Sequence, residues 1–506
     1  MYILNVIYSL HSLVPSWLWV WFGTAMHITA FLLVCSHCLK TRREAASAIL
    51  WMFLAWTLPI AGPLLYLSFG VNRVADKGFK KHTTDQRLLA ARKARENDAF
   101  PLAYWRSVHD AVRGEPDSDL DRELNRAMDA MMPDRPMLGG NEILPLVDGD
   151  QAFPKMLDAI RNASHHIHLQ SFIIADDKIG HEFFNLLAEK ARSGVIVRVL
   201  YDRFGSTRAF FRGFFRRYER VPNMKIAGWT QVNPLKRQFQ INLRNHRKIL
   251  VIDGKTAFCG GLNIHDENLT KNGNQPIRDY HFEIRGPMVQ ELQYSFMLDW
   301  FFMTNENPED ILKEVYYPKI QPAGSSMLRL VSSGPNSETP PIADLFFMCI
   351  TAAHKQVLVV TPYFVPTPDI VRAMRTAALR GVDVRLVVPK KNNHTYAGLA
   401  GCALYDSLLA SGVRIFERRL PFMHAKALIV DDTFAVIGTA NMDVRSLHLN
   451  YETSLAVSDD RFVEQLKEIV INDIALSDQL ELNTWRTRPA MHRVAENFCS
   501  LLTPVL

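Results

Sequence analysis

The sequence predicts an α/β protein in which one α/β unit occurs twice, preceded by an apolar two-helix hairpin. Three observations lead there: two charge-free stretches at the amino terminus, strand and helix patterns alternating from Glu142 onward, and polar residues repeated at identical spacing. At 506 residues the chain has room for about three domain-sized units. The pattern predicts a hairpin at 1–72, a charged helical linker at 73–140, and α/β domains at 141–320 and 321–506.

No Asp, Glu, Lys or Arg occurs from Met1 to Leu39, nor from Ala45 to Asn72. Each stretch exceeds the ~20 apolar residues that span a bilayer as a helix. Trp17, Trp19 and Trp21 suit a membrane interface near the start of the first span. A cleaved signal peptide fits poorly, because no basic segment precedes the first stretch and a second follows at once. Pro59 and Pro63 predict a kink in the second helix. Lys40, Arg42 and Arg43 lie in the short loop, whereas Arg73, Lys77, Lys80, Lys81 and Arg87 follow the second helix. The larger cluster puts the rest of the chain on the cytoplasmic side of a multi-pass anchor.

Lys plus Arg outnumber Asp plus Glu by 58 to 52, a formal charge of +6 that suits an anionic lipid surface or a nucleic acid alike. Arg208, Arg212, Arg216, Arg217 and Arg220 interleave with Phe210, Phe211, Phe214, Phe215 and Tyr218. Such a segment suits a lipid headgroup interface; the alternative is a helix with one buried aromatic face. The six cysteines do not read as a disulfide framework. Cys259, Cys349 and Cys402 lie in apolar runs, and Cys35 with Cys38 has no second pair of zinc ligands.

Residues 73–137 read as charged helix, interrupted at Pro101. A strand follows at Ile143 to Val147, with Pro145 predicting a sheet edge. Next come a turn at Asp148 to Asp150, a helix through Ala163, a strand at His166 to Ile174, a helix at His181 to Arg192 and a strand at Val195 to Tyr201. The order returns as strand Val357 to Thr361, helix Asp369 to Leu379 and strand Val382 to Val388. Gly194 and Gly381 stand at equivalent helix ends, where a left-handed cap is required. Alternation of this kind indicates an α/β fold.

The chemistry lies in a second repeat. His246, Lys248, Asp253, Gly260 and Asn263 have the same spacing as His424, Lys426, Asp431, Gly438 and Asn441. A His and a Lys two apart on a strand share one face. Ile249 to Ile252 and Ala427 to Val430 are strand cores, Asp253 and Asp431 fall at their ends, and the return strand brings an Asn back. Each copy offers a base or nucleophile, a fixed cation and an amide donor, a set suited to phosphate. A metal site fits badly, since Lys is no usual ligand and the carboxylates do not cluster.

These residues resemble the HKD motif of the phospholipase D superfamily, from about Glu142 to the end of the chain. Similarity to bacterial cardiolipin synthases is closer, through the hairpin, Asp202 to Ser206, Thr361 to Pro366, Asn441 to Ser446, and Trp485 with Arg488 and Pro489. One departure is Gly261, where the superfamily often has Ser; the second copy has Thr439.

The resemblance implies two tandem phospholipase D-like α/β domains related by a pseudo-twofold, with one active site between them and no metal or other cofactor. It implies phosphatidyl transfer between two phosphatidylglycerol molecules in the bacterial inner membrane, through a covalent phosphatidyl-histidine, giving cardiolipin and glycerol. By analogy His246 is the nucleophile and His424 the general acid/base, although the near symmetry of the halves leaves that choice open. Lys248, Lys426, Asp253 and Asp431 complete the catalytic set with the two histidines, the lysines and Asn263 and Asn441 would hold phosphate oxygens, and Asp279 and Glu452 would orient the histidines. Phosphatidylethanolamine as second lipid and a homo-oligomer stay open; no nucleic acid partner is implied. The alternatives are a hydrolase or nuclease using the same residues, and a non-catalytic scaffold, which the intact His and Lys pairs argue against. His165, His166 and His168 read as packing residues, with His281 nearer the site.

Overall fold

The computed structural model describes residues 15–41, 45–70, 73–96, 118–133, 135–229, 244–270, 276–319, 321–335 and 341–501. The loop residues Arg42 and Arg43 and the interruption at Pro101 lie outside them. The chain divides into two compact units, Met1–Lys77 and Gly78–Leu506.

In the first unit, helix α1 (Ser16–Lys40) packs beside helix α2 (Ala45–Thr57). Val34, Cys38, Ala48 and Ala55 form their contact together with Tyr66 from the later turn Tyr66–Gly70, and most other apolar side chains face outward. Only the helix Trp17–Lys40 is long and apolar enough to cross a membrane among the described residues. The second apolar stretch is broken, not merely kinked: α2 stops at Thr57, and a short helix resumes at Ala61–Leu65. Pro59 lies in the gap, where its ring and missing N–H end the first helix. Gly62 seats against the Leu54 and Ala55 backbone, where a Cβ would overlap it.

Among the described residues the second unit is built on one 15-stranded sheet. Its strands are β1 (Leu138–Val147), β2 (His166–Ser171), β3 (Ile196–Asp202), β4 (Met224–Trp229), β5 (Ile249–Ile252), β6 (Thr256–Gly260) and β7 (Tyr280–Arg285). They continue as β8 (Ser326–Ser333), β9 (Gln356–Val360), β10 (Asp383–Pro389), β11 (Arg414–Arg418), β12 (Ala427–Val430), β13 (Phe434–Gly438), β14 (Glu452–Ser458) and β15 (Ser477–Gln479). The order across the sheet is β15-β11-β10-β9-β12-β13-β14-β8-β1-β7-β6-β5-β2-β3-β4. Apart from the edge strand β15, it reads the same outward from β8 and from β1, each strand matched by the one seven places later in the chain.

Although Pro145 has an unpaired side, β1 is no edge strand and lies in the middle of the sheet. It pairs with β7 from Glu142 to Val147, but with β8 only at Leu138 and Asn141. At Pro145 the strand therefore has one neighbour, and the absent N–H breaks no ladder.

Helices cover both faces. Helix α3 (Asp119–Met131), within the expected linker, packs Leu120, Leu124 and Met128 against the β8–β14 half beside Val331, Leu345 and Val436. Ser118 caps it by accepting from Asp121 N–H at 3.0 Å. Polar contacts add to the seat: Asp121 accepts from Thr433 and Ser458, and Asp129 pairs with Arg329. Helix α4 (Met288–Thr304) and helix α5 (Asp460–Ala475) share one core that draws on strands of both halves, including Val251, Phe282, Leu330, Ile429 and Leu455. In the basic–aromatic segment, Phe214, Phe215 and Tyr218 enter the core against Phe184 while the arginines stay exposed. Its aromatic side is packing surface, as the simpler reading had it; Phe211 alone stands fully out.

Candidate active site

Both repeated motifs lie in extended segments immediately before β5 and β12, not on the strands themselves. What fixes these segments is the opposite half. Asn245 bridges Tyr451, with His246 N–H donating to the Tyr451 carbonyl at 2.9 Å and Tyr451 N–H to the Arg244 carbonyl at 3.0 Å. Phe422–Met423 pairs with Ile277–Arg278, and His424 N–H donates to the Arg278 carbonyl at 2.7 Å. Each His-bearing segment is zipped to the residues just before the other half's carboxylate.

The result is an exchange of partners. His246 Nδ1 lies 3.0 Å from Glu452 Oε2 and 3.3 Å from the Thr439 carbonyl. Both are acceptors, so Nδ1 carries the proton and Nε2 keeps its lone pair. His424 Nδ1 lies 2.7 Å from Asp279 Oδ2. Lys426 Nζ straddles that ring, 2.8 Å from Nδ1 and 3.1 Å from Nε2. No hydrogen bond engages His246 Nε2 among the described residues. Lys248 donates to the His246 carbonyl at 2.7 Å, and Lys426 makes the matching contact to the His424 carbonyl.

The two carboxylates are held differently. Glu452 accepts from Thr439 Oγ1 at 2.6 Å and from Asn450 Nδ2 at 3.2 Å. Asp279 accepts from Tyr280 N–H at 2.8 Å, and its own N–H donates to Asp148 at 2.8 Å. A Cβ on Gly261 would overlap the Asp279 carboxylate. That accounts for Gly261: the shorter acid fills the space a Ser would take, whereas the longer Glu452 leaves room for the Thr439 hydroxyl as a partner.

Burial depresses all four bases. His424 falls to about 4 through burial and then Lys426, and burial likewise lowers His246 against the pull of Glu452. Lys248 drops to about 7 through burial and the neighbouring Lys426; burial takes Lys426 to about 8 despite Asp279 and Glu452. Burial pushes the carboxylates the other way, but Lys426 and His424 outweigh it at Asp279, as His246 and Lys248 do at Glu452. Both acids stay ionised. An anionic phosphodiester between the lysines would hold their protons in place. Among the described residues no three or more His, Cys, Asp or Glu converge as metal ligands.

A sequence profile described as "Cardiolipin synthase, PLD-like domain" matches residues 156–300 and 346–474, and one described as "Phospholipase_D-nuclease N-terminal" matches residues 29–70. The cardiolipin synthase of Geobacillus kaustophilus (strain HTA426) is 34% identical over 500 residues, covering 96% of this chain and 95% of that protein. The chain belongs to the cardiolipin synthase family. Cardiolipin synthase A of Pseudomonas fluorescens (strain SBW25) is 33% identical over 477 residues, covering 94% of this chain and 96% of that one. The crystal structure of phosphatidylserine synthase from Haemophilus influenzae Rd KW20 shares the fold, with a TM-score of 0.56 at 16% identity, covering 76% of this chain and all of that one.

In this member of the cardiolipin synthase family, Asp253 and Asp431 do not reach the cluster, so their assignment as catalytic residues is corrected. Both have left-handed backbones, with φ of 53° and 51°, at the far ends of β5 and β12. Asp253 accepts the N–H groups of Ser164, His165 and His166 at 2.8, 2.8 and 2.9 Å. Asp431 accepts those of His354, Lys355 and Gln356 at 3.2, 2.7 and 3.0 Å. Each staples the start of the neighbouring strand. Asn263 and Asn441 are buried, with Asn263 Oδ1 accepting from Ile173 N–H at 3.1 Å and Asn441 Oδ1 without a hydrogen-bond partner among the described residues. Buried His281 sits against Gly260, and burial lowers it to about 4. His168 stacks on Phe296 at 4.9 Å and bonds Gln293, which makes it packing.

One network of the family member was missed in the sequence. Arg247, between His246 and Lys248, is buried and donates to Asp299 at 2.9 Å; Asp299 also takes Lys81 at 3.1 Å, Gln170 at 2.7 Å and Asn245 at 2.7 Å. The signal was available: a charge inside an apolar strand context requires a buried partner.

Proposed function

We propose that the chain is a cardiolipin synthase in which His246 and His424 act on one phosphodiester, and that two phospholipase D-like halves, 141–320 and 321–506, meet there across a pseudo-twofold. The exchange of partners, His246 with Glu452 and His424 with Asp279, carries this reading. The matching strand order supports the pseudo-twofold.

His246 Nε2 attacks the phosphorus of a first phosphatidylglycerol, and the bond to the headgroup glycerol oxygen breaks. The free lone pair on Nε2 favours His246 for this role, since Lys426 lies on the other imidazole. His424 supplies the proton to the departing oxygen; the bound phosphate's charge raises its affinity for that proton. Lys248, Lys426 and the amides of Asn263 and Asn441 stabilise the non-bridging oxygens. His424 then takes the proton from the headgroup hydroxyl of a second phosphatidylglycerol. That oxygen displaces His246, giving cardiolipin. One phosphodiester replaces another, so no nucleotide is consumed.

The apolar stretches 16–40 and 45–70, the second of them broken at Pro59, would form a multi-pass anchor in the inner membrane with the catalytic unit on the cytoplasmic side, as the basic residues after Asn72 support. Purified full-length protein given labelled phosphatidylglycerol, with EDTA and without nucleotide, should release glycerol and form cardiolipin. Phosphatidic acid alone would replace this reading with hydrolysis. Phosphatidylethanolamine as the second lipid is tested by labelling it in the same assay.

A further inference from the structure

The helix Ala490–Ser500 is turned inside out. Met491, Val494 and Phe498, with Leu501 just beyond, follow the spacing that normally faces a protein core. Here they face outward: Met491 is 75%, Val494 59%, Phe498 64% and Leu501 76% exposed, while Glu496 is only 3% exposed. Glu496 lies two residues from Phe498, a rotation of roughly 200° around the helix. Its inward seat is well built. Arg488 Nη1 and Nη2 donate to the two Glu496 oxygens at 2.6 and 3.1 Å, and the guanidinium stacks on Trp485, 3.1 Å from the ring centroid. A buried carboxylate bonded twice to one arginine sets the rotation of the helix and hence the outward direction of the stripe.

An apolar stripe held out in this way calls for an apolar partner. Three observations identify a bilayer. Outside Glu496 the helix has no acid, and exposed Arg493, roughly 120° around the helix from the middle of the stripe, carries the sign that anionic headgroups attract. The chain also carries Trp17–Lys40, apolar and long enough to cross a membrane. Finally, Ala490–Ser500 packs along the helix Thr395–Ala410, whose first turn leads to the active site. Tyr396 contacts His394 at 5.6 Å between centroids, His394 contacts Tyr363 at 5.6 Å, and Tyr363 contacts His424 at 6.5 Å.

We propose that Ala490–Ser500 lies in the plane of an anionic bilayer surface, with Met491, Val494, Phe498 and Leu501 among the acyl chains, and turns the Tyr396 rim of the site toward the membrane. The choice of occupant rests on the membrane-lipid reading above. The test places p-benzoylphenylalanine at Phe498 in the full-length enzyme, reconstituted in phosphatidylcholine vesicles containing phosphatidylglycerol, and reads photo-adducts by mass spectrometry. Lipid adducts are expected, several-fold more abundant than from the same probe at Arg493. Adducts to a second copy of the chain, or lipid adducts no stronger than at Arg493, overturn the proposal. Turnover is read separately. Lipid adducts on an enzyme that makes no cardiolipin would sink the assigned reaction and leave the docking surface standing; cardiolipin without those adducts would do the reverse.

Discussion

His246 Nδ1 and Glu452 Oε2 lie 3.0 Å apart although 206 residues separate them, so the imidazole of one half is aimed by the carboxylate of the other. The reciprocal pair, His424 and Asp279, lies at 2.7 Å. Neither half holds its imidazole–carboxylate pair by itself.

Glu452→Gln and Asp279→Asn should each lower kcat by about 10²–10⁴-fold with little change in KM, since the amide no longer fixes the tautomer or stabilises the charged ring. Steady-state kinetics on phosphatidylglycerol in mixed micelles checks this. A variant with near wild-type kcat would remove that carboxylate from the mechanism.

Asp253→Asn and Asp431→Asn should behave differently. Each loses charge-assisted bonds to three backbone N–H groups, which costs about 1–3 kcal/mol of stability. The chemistry is untouched. Thermal melts should shift down while turnover per folded molecule stays within about twofold of wild type, a bound that marks no lost transition-state contact.

Gly261→Ser should nearly abolish turnover, because its Cβ displaces the Asp279 carboxylate that orients His424. Combining Gly261→Thr with Asp279→Glu copies the Thr439–Glu452 arrangement into the first half. Recovery of activity in the double variant, compared with Gly261→Thr alone, measures that coupling; a purely additive loss would show that the two halves tolerate different solutions.

Burial and its like-charged neighbour bring Lys248 to about 7, and burial brings Lys426 to about 8. A lysine is cationic below its pKa, so phosphate capture weakens as pH rises through these values. For the free enzyme, kcat/KM should fall above about pH 7–8. Lys248→Arg, which cannot lose its proton there, should move the alkaline limb upward even if the rate drops. An unmoved limb would assign it to another group.

The doubled spacing of His, Lys and Asn was legible because each motif is local and its period carries its own geometry. The partner exchange was not: Asn245 meets Tyr451 only because the strand order brings the two halves together, and nothing local to either segment records that. Asp253 was legible as a strand-end residue, and its positive φ marks a turn there; the three N–H groups it gathers come from the segment entering β2, 87 to 89 residues earlier in the chain. Pro145 misled because edge character belongs to a position in a sheet, and β1 has an edge along only part of its length. Gly261 was readable as a departure from the family pattern, but its cause is a carboxylate 18 residues away in sequence, whose side-chain length the spacing does not encode.

The ladder between the halves is short, with Leu138 opposite Leu328 and Asn141 opposite Ser326. A phosphodiester held by Lys248 from one side and Lys426 from the other, as proposed above, would therefore also fasten that seam. Occupancy of the site should slow amide hydrogen exchange around Leu138 to Asn141, and on the proposed mechanism a phosphatidyl-histidine would be the stiffest state in the cycle.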